Sequence, residues 1–272
     1  MKALVYSRYG LPEVLHLKEV SRPVPKEDEV LVKVRAVSLN RSDWERLRGT
    51  PWFVRFGGFF RPRHHILGSD VAGRVEAVGR NVERIRPGDE VFGDLMERAG
   101  GLAEYVCVRE RLLAVKPGSL TFEEAATMPQ AGVIALQGIR DKGRVKQGQR
   151  VLINGAGGCT GVFAVQLAKS FGAEVTGVDN SGKLEFMRSL GADHVVDYSQ
   201  EDFTKSGHQY DLILDVVGNR SVFDYNKALS PGGLYLAVGG SLFTLLQILF
   251  LGALIGRRTG RRMRILVVRP KL

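Results

Sequence analysis

Cysteine is scarce: Cys107 and Cys159 are the only two in 272 residues. Two thiols cannot build a disulfide framework or a four-thiolate zinc site, so a reducing compartment is expected. No leader pattern opens the chain. Met1-Lys2-Ala3-Leu4-Val5-Tyr6 reads directly as a strand, without the basic, apolar and cleavage regions of a signal peptide or the Arg/Ser bias of a transit segment. The expectation is a cytoplasmic protein. Long apolar runs are nearly missing. The one candidate, residues 242–255, is too short to span a bilayer, carries Gln247 and is broken by Gly252. It is predicted to be a buried helix, or one buried at a subunit contact, and no membrane partner is expected. Aromatic residues are absent from the basic cluster Arg257, Arg258, Arg261, Arg262, Arg264, Arg269 and Lys271, which accounts for much of the net charge of +10. Without stacking side chains among those arginines, a solvated loop is expected there rather than a nucleic-acid surface.

What is present fills two domains. Residues 1–117 read as β-rich. Residues 29–37 alternate charged and apolar side chains, placing Val30, Val32, Val34 and Ala36 on one face. Turn signals recur at Arg22-Pro23-Val24-Pro25, Gly57-Gly58, Arg86-Pro87-Gly88-Asp89 and Gly100-Gly101. Short strands fit between them at 71–78, 90–92 and 103–108, as in a small, partly open barrel. Residues 118–272 change character. Thr121 can cap a helix with Glu124 as its capping-box partner, and a helix at about 130–141 follows. Apolar strands are then predicted at 151–154, 174–178, 194–197, 212–217, 234–238 and 265–268, with helices between. Six such strands, expected to be buried on both faces, argue a doubly wound parallel sheet.

The segment Val151-Leu152-Ile153-Asn154-Gly155-Ala156-Gly157-Gly158-Cys159-Thr160-Gly161 runs strand, turn, helix. Gly155 permits a tight turn, Gly158 lets backbone approach a pyrophosphate, and Gly161 lets the helix pack on the strand. The helix N-terminus offers free N–H groups and partial positive charge to phosphates. The spacing is G-x-x-G-x-x-G, and its context is the dinucleotide fingerprint: a preceding strand, the helix 162–171, and Asp179 closing the next strand. A carboxylate at 179 can accept from both adenosine ribose hydroxyls and would repel a 2′-phosphate, which leans to NADH. Ser181 and Lys183 in the same loop could hold that phosphate and keep NADPH open. A helix N-cap is the competing role for Asp179.

These residues resemble a known family. Ile66-Leu67-Gly68-Ser69-Asp70-Val71-Ala72-Gly73-Arg74-Val75, Arg86-Pro87-Gly88-Asp89-Glu90-Val91-Phe92-Gly93, Met128-Pro129-Gln130-Ala131-Gly132-Val133-Ile134-Ala135-Leu136-Gln137, the Gly-rich turn and Ser189-Leu190-Gly191-Ala192-Asp193-His194-Val195-Val196-Asp197-Tyr198 are similar to medium-chain dehydrogenases/reductases of the zinc-independent, quinone-oxidoreductase-like branch. The resemblance covers essentially the whole chain. It implies a GroES-like catalytic domain (1–117) and a Rossmann domain (118–272). It also implies homodimers joined through the last Rossmann strand, here Ile265-Leu266-Val267-Val268. It places Gly158, Cys159 and Thr160 at the pyrophosphate, Asp179, Lys183 and Tyr198 around the adenosine, and Val217, Gly218, Gly239 and Gly240 near the ribose and nicotinamide. The positions of the zinc ligands in metal-dependent relatives are held by Asn40, Ser69 and Ala131, none a good zinc ligand. His64 and His65 are neighbours whose side chains point apart in extended chain. No metal is expected.

The implied reaction is hydride transfer from a nicotinamide to an enone β-carbon or a quinone, with a small apolar substrate. Asn40, with an amide donor, is the candidate for orienting the substrate carbonyl; capping the helix that begins near Ser42 is its other role. Asp43 and Asp70 are expected to organise the loop. Glu45 stands where some relatives have a tyrosine, so no tyrosine acid is assigned. Trp44, Trp52, Phe53, Phe56, Phe59 and Phe60 could line an apolar wall or simply pack. Family members usually continue well beyond the sixth Rossmann strand, so the resemblance implies a catalytic domain short of its return segment, with unpaired edges and exposed apolar surface. Alternatives are an alcohol dehydrogenase of the same superfamily and a cofactor-binding protein without turnover.

Overall fold

The structure is a computed structural model that describes residues 1–56, 58–95 and 98–269. Gly57 of the second turn signal, Met96 and Glu97, and Lys271 of the basic cluster lie outside the described residues. The chain forms two compact units, one holding Met1–Gln130 and the other Ala131–Arg269.

The first unit is antiparallel. β1 (Lys2–Val5) and β2 (His16–Glu19) form a hairpin. β3 (Glu29–Ser38), β4 (Asp70–Val78), β5 (Glu90–Asp94), β6 (Tyr105–Arg109) and β7 (Leu113–Val115) form a five-stranded sheet in the order β6-β3-β4-β5-β7. Alternation explains the pairing. Val30 and Val32 of β3 join Val71, Val75, Val91, Val106 and Val108 in one core, while Lys33 and Arg35 face out. α1 (Arg41–Arg48) follows β3 directly. α2 (Phe122–Ala126) starts at the expected capping box: Thr121 Oγ1 accepts from Glu124 N–H at 3.1 Å, and Glu124 Oε2 accepts from Thr121 N–H at 2.9 Å. Its Ala125 and Ala126 pack on Ala72 of β4. The unit therefore extends through α2 to Gln130, past residue 117, where composition alone changes.

The second unit is a parallel sheet of β8 (Arg150–Asn154), β9 (Glu174–Asp179), β10 (His194–Asp197), β11 (Tyr210–Asp215), β12 (Leu229–Ala237) and β13 (Arg262–Ile265). Their order is β10-β9-β8-β11-β12-β13. Both faces are covered over the central strands, which is why β8, β11 and the second half of β12 carry apolar runs (Val151-Leu152-Ile153, Leu212-Ile213-Leu214, Leu234-Tyr235-Leu236-Ala237). Val151, Ile153, Val175, Leu212, Leu214 and Leu236 enter one core; Leu152, Val178, Ile213 and Tyr235 enter the other. α3 (Pro129–Leu136) leads into the unit, α4 (Cys159–Ser170) follows β8, α5 (Leu184–Ser189) follows β9, α6 (Val222–Lys227) follows β11, and α7 (Leu242–Thr259) follows β12. The direction of winding reverses between β8 and β11, which opens a crevice at their carboxyl ends.

Three sequence expectations shift. The fourth parallel strand ends at Asp215, so Val216 and Val217 belong to the loop beyond it. The sixth is Arg262–Ile265 rather than 265–268: α7 runs to Thr259, Gly260 turns the chain at φ +70°, and Arg262 is already paired with Leu234. The apolar stretch is neither broken nor buried. α7 is a continuous helix of 18 residues capped by Ser241, and only 22% of it is buried. Gly252 does not interrupt it. A Cβ there would stand 3.3 Å from the Met263 carbonyl oxygen, so the small residue lets α7 lie close on β13.

Candidate dinucleotide and catalytic sites

The Gly-rich turn is built as its sequence requires. Gly155 sits at φ +87° and donates to Val178 O at 2.9 Å, and Gly158 donates to Gly155 O at 3.0 Å. A Cβ on Gly161 would lie 2.2 Å from Gly155 O and 2.5 Å from Ala156 Cα. Gly161 thus seats α4 under the turn and faces away from any ligand. The first intrahelical bond is Val162 N–H to Gly158 O at 2.9 Å. Cys159, Thr160 and Gly161 therefore present the open N–H end of the helix. Because backbone blocks the added methyl, Gly161→Ala should destabilise the unit by about 1–3 kcal/mol and weaken dinucleotide binding; thermal melts and nucleotide titration check both.

In front of the turn lies a cavity of about 510 Å³, lined by Asn154, Gly155, Gly158, Asp179, Lys183, Tyr198, Val217 and Arg220 among others. Of the residues expected to hold cofactor, Gly155, Gly158, Asp179, Lys183, Tyr198 and Val217 share this one cavity. Gly218 and Gly240 pack on each other: a Cβ on Gly218 would stand 2.5 Å from Gly240 Cα. Gly239 has open space where a side chain would be.

Asp179 is buried, and its carboxylate is engaged within the protein. It accepts from Gly157 N–H (3.0 Å), Asn180 N–H (2.9 Å), Asn180 Nδ2 (3.1 Å) and Lys183 Nζ (3.3 Å). The acid locks the Gly-rich turn to the loop at residues 180–183, and Lys183 offsets its charge.

Asp215 was not singled out in the sequence and proves central. It is completely buried at the end of β11. Its Oδ1 accepts from Asn154 Nδ2, Val217 N–H and Gly218 N–H, each at 2.9 Å, and its Oδ2 accepts from the Tyr235 hydroxyl at 2.9 Å. One carboxylate therefore fixes the residue before the Gly-rich turn and the loop on the opposite side of the cavity. The available signal was an acid inside the apolar run 212–217, three residues before Gly218.

In the first unit, Asn40 precedes α1, and its backbone N–H donates to Asp43 Oδ2 at 2.9 Å. Its side-chain Nδ2 donates to Ser69 Oγ (2.9 Å) and Asp70 Oδ2 (3.0 Å). Ser69 Oγ in turn donates to Asp43 Oδ2 (2.7 Å), Gly68 N–H to Asp43 Oδ1 (3.0 Å), and Gln130 N–H to Asp70 Oδ2 (3.1 Å). The loop-organising roles expected of Asp43 and Asp70 are visible as bonds. Both Asn40 amide protons are committed, so binding a carbonyl there requires exchanging one of them. Asp70 is fully buried, and its Oδ1 has no hydrogen-bond partner among the described residues. Burial, reinforced by the nearby Asp94 and Asp43 carboxylates and opposed by the Asn40 and Gln130 bonds, pushes its carboxyl up to about 7.

The six aromatics do not form a packed core. Phe56 is 74% and Phe60 90% exposed, and Trp52 meets Phe56 edge-on with ring centroids 5.4 Å apart.

Comparison with known proteins agrees with both units. Residues 26–118 match the alcohol dehydrogenase GroES-like domain family, and residues 159–263 match the family described as zinc-binding dehydrogenase. The NADPH-dependent alkenal/one oxidoreductase of Arabidopsis thaliana chloroplasts is 38% identical over 89% of this chain and 63% of its own length. The chloroplast envelope quinone oxidoreductase homolog of the same plant is 36% identical over 86% of the chain and 73% of its own length. The chain thus spans about two thirds of the length of such relatives. The solved quinone oxidoreductase of Coxiella burnetii superposes with a TM-score of 0.88 at 29% identity, covering 100% of this chain and 84% of that one. A GroES-like β-unit, a six-stranded parallel sheet wound 3-2-1-4-5-6, and a Gly-rich turn at its switch point meet in one sequence, and with these similarities they place the chain in the medium-chain dehydrogenase/reductase superfamily, in its quinone-oxidoreductase-like branch.

Proposed function

We propose that this protein is a nicotinamide-dependent reductase of small enones or quinones, using NADPH. The observation that carries the reading is the cavity at the switch point of the parallel sheet, bounded by the Gly-rich turn, the open end of α4 and Lys183. The turn and helix end suit a pyrophosphate. On the adenosine side, every Asp179 oxygen already has a donor, and the Lys183 ammonium and the Ser181 hydroxyl are groups suited to a 2′-phosphate. This differs from the lean to NADH drawn from Asp179 as a free acceptor, and it accords with the name of the alkenal/one oxidoreductase. When bound, the dinucleotide supplies hydride to an enone β-carbon or a quinone. The protein's share is to hold it and to orient the acceptor carbonyl through the Asn40–Ser69 pair. Residues 40 and 69 are an amide and a hydroxyl bonded to each other, so the reading is metal-independent.

Parallel titration of NADPH and NADH tests it, followed by a panel of quinones, enones and alcohols. NADPH should bind at least tenfold more tightly, and Lys183→Ala should reduce that preference to within about threefold. Equal binding of the two cofactors by the parent chain would overturn the NADPH assignment, and stoichiometric zinc with chelator-sensitive alcohol turnover would overturn the reaction.

A further inference from the structure

α7 carries an exposed apolar face that the dinucleotide site does not use. Leu242, Phe243, Leu246, Leu249, Phe250 and Leu254 all point outward, with Phe243 and Leu249 each 66% and Phe250 77% exposed. Their spacing puts them on one side of the helix, while Thr244, Ile248, Gly252 and Ile255 on the other side are buried against the sheet. An unbroken stripe of this kind over more than three turns is far from the scattered apolar residues of an ordinary surface. The stripe ends in charge of one sign. Arg257 and Arg258 close α7, Arg261 follows the turn, and Arg262 and Arg264 lie on β13. No Asp or Glu stands between Asp224 and Leu272, and among the described residues these arginines have no ion-pair partner. A groove of about 610 Å³ runs between the two elements, with Leu249, Gly252 and Ala253 on one wall and Arg261, Arg264 and Val267 on the other. Arg261 Nε is buried there without a hydrogen-bond partner among the described residues.

We propose that this face docks onto the surface of an anionic lipid bilayer. Apolar side chains beside unneutralised guanidinium groups match the acyl chains and the anionic headgroups of such a surface. The helix lies along the surface and does not cross it, because its other side is committed to the sheet core. A second copy of the chain fits less well. A two-fold contact would set this same patch of both copies face to face and bring like charges together, whereas an anionic surface neutralises them.

Co-sedimentation of the 272-residue chain with vesicles tests the assignment. Vesicles of phosphatidylcholine with phosphatidylglycerol should pellet the protein, less so as salt is raised, and phosphatidylcholine alone should not. Arg257→Gln with Arg258→Gln should weaken partitioning about thirtyfold. Leu249→Ser with Phe250→Ser should abolish it while the melting temperature is unchanged, since both side chains are exposed. Absence of pelleting, or equal pelleting with neutral vesicles, would overturn the proposal. Light scattering without lipid addresses the second copy. A dimer that the Leu249/Phe250 variant converts to monomer would assign the face to chain–chain contact and likewise overturn it.

Discussion

Replacing Asp215 with alanine is expected to cost about 3–5 kcal/mol of stability and to abolish dinucleotide binding together. The carboxylate accepts four hydrogen bonds inside the sheet unit, from Asn154, Val217, Gly218 and Tyr235. Its removal leaves those buried donors without an acceptor, and a cavity beside the stacked rings of Tyr225 and Tyr235, whose centroids are 4.2 Å apart. At a few degrees per kcal/mol for a chain of this size, the melting temperature should fall by roughly 10 °C. Binding should fail because the residue preceding the Gly-rich turn and the loop carrying Val217 are both held by this one group. Asp215→Asn separates the contributions. Its carbonyl can keep the three bonds to Oδ1, so the loss should be about half. Tyr235→Phe removes only the fourth bond and should cost about 1 kcal/mol with binding intact. An Asp215→Ala protein as stable as its parent would show that the network carries no net stabilisation.

Asp70 is expected to make the first unit less stable as pH rises from about 4 to 8. The sign follows from its raised carboxyl. In the unfolded chain the group releases its proton near the ordinary value of 3.8, whereas in the folded protein it keeps the proton up to about 7. Between those values the folded state binds more protons than the unfolded one, so stability falls with pH and levels off above the folded value. The interval amounts to on the order of 4 kcal/mol. Asp70→Asn removes the titration while keeping an acceptor for the Asn40 amide and Gln130 N–H. The variant should match the parent near pH 4 and exceed it by a few kcal/mol at pH 8. Denaturant unfolding at a series of pH values measures the difference, in which the other titrating groups cancel. Parallel curves for the two proteins would mean that Asp70 titrates normally.

The sequence by itself determined the parallel sheet and its Gly-rich turn, because those depend on short-range chemistry. Continuous apolar runs such as Val151-Leu152-Ile153 and Leu212-Ile213-Leu214 must be covered on both faces, and Gly155 and Gly161 sit where φ or a close backbone approach excludes a side chain. The capping box at Thr121 and Glu124 was legible for the same reason. What depended on which distant groups meet was decided only by the tertiary structure. Asp179 reads as a ribose acceptor until the fold brings Gly157 and Lys183 to its oxygens. Asn40 reads as a free donor until Ser69 and Asp70, about thirty residues on, take both amide protons. The sequence shows Asp215 only as an acid inside an apolar run; its role depends on Asn154 and Tyr235, which come from two other strands, meeting it beside its own following loop. The stretch at α7 reads as buried because composition records how apolar a helix is. Which of its faces meets the sheet depends on packing against β12 and β13, and that packing covers only one side.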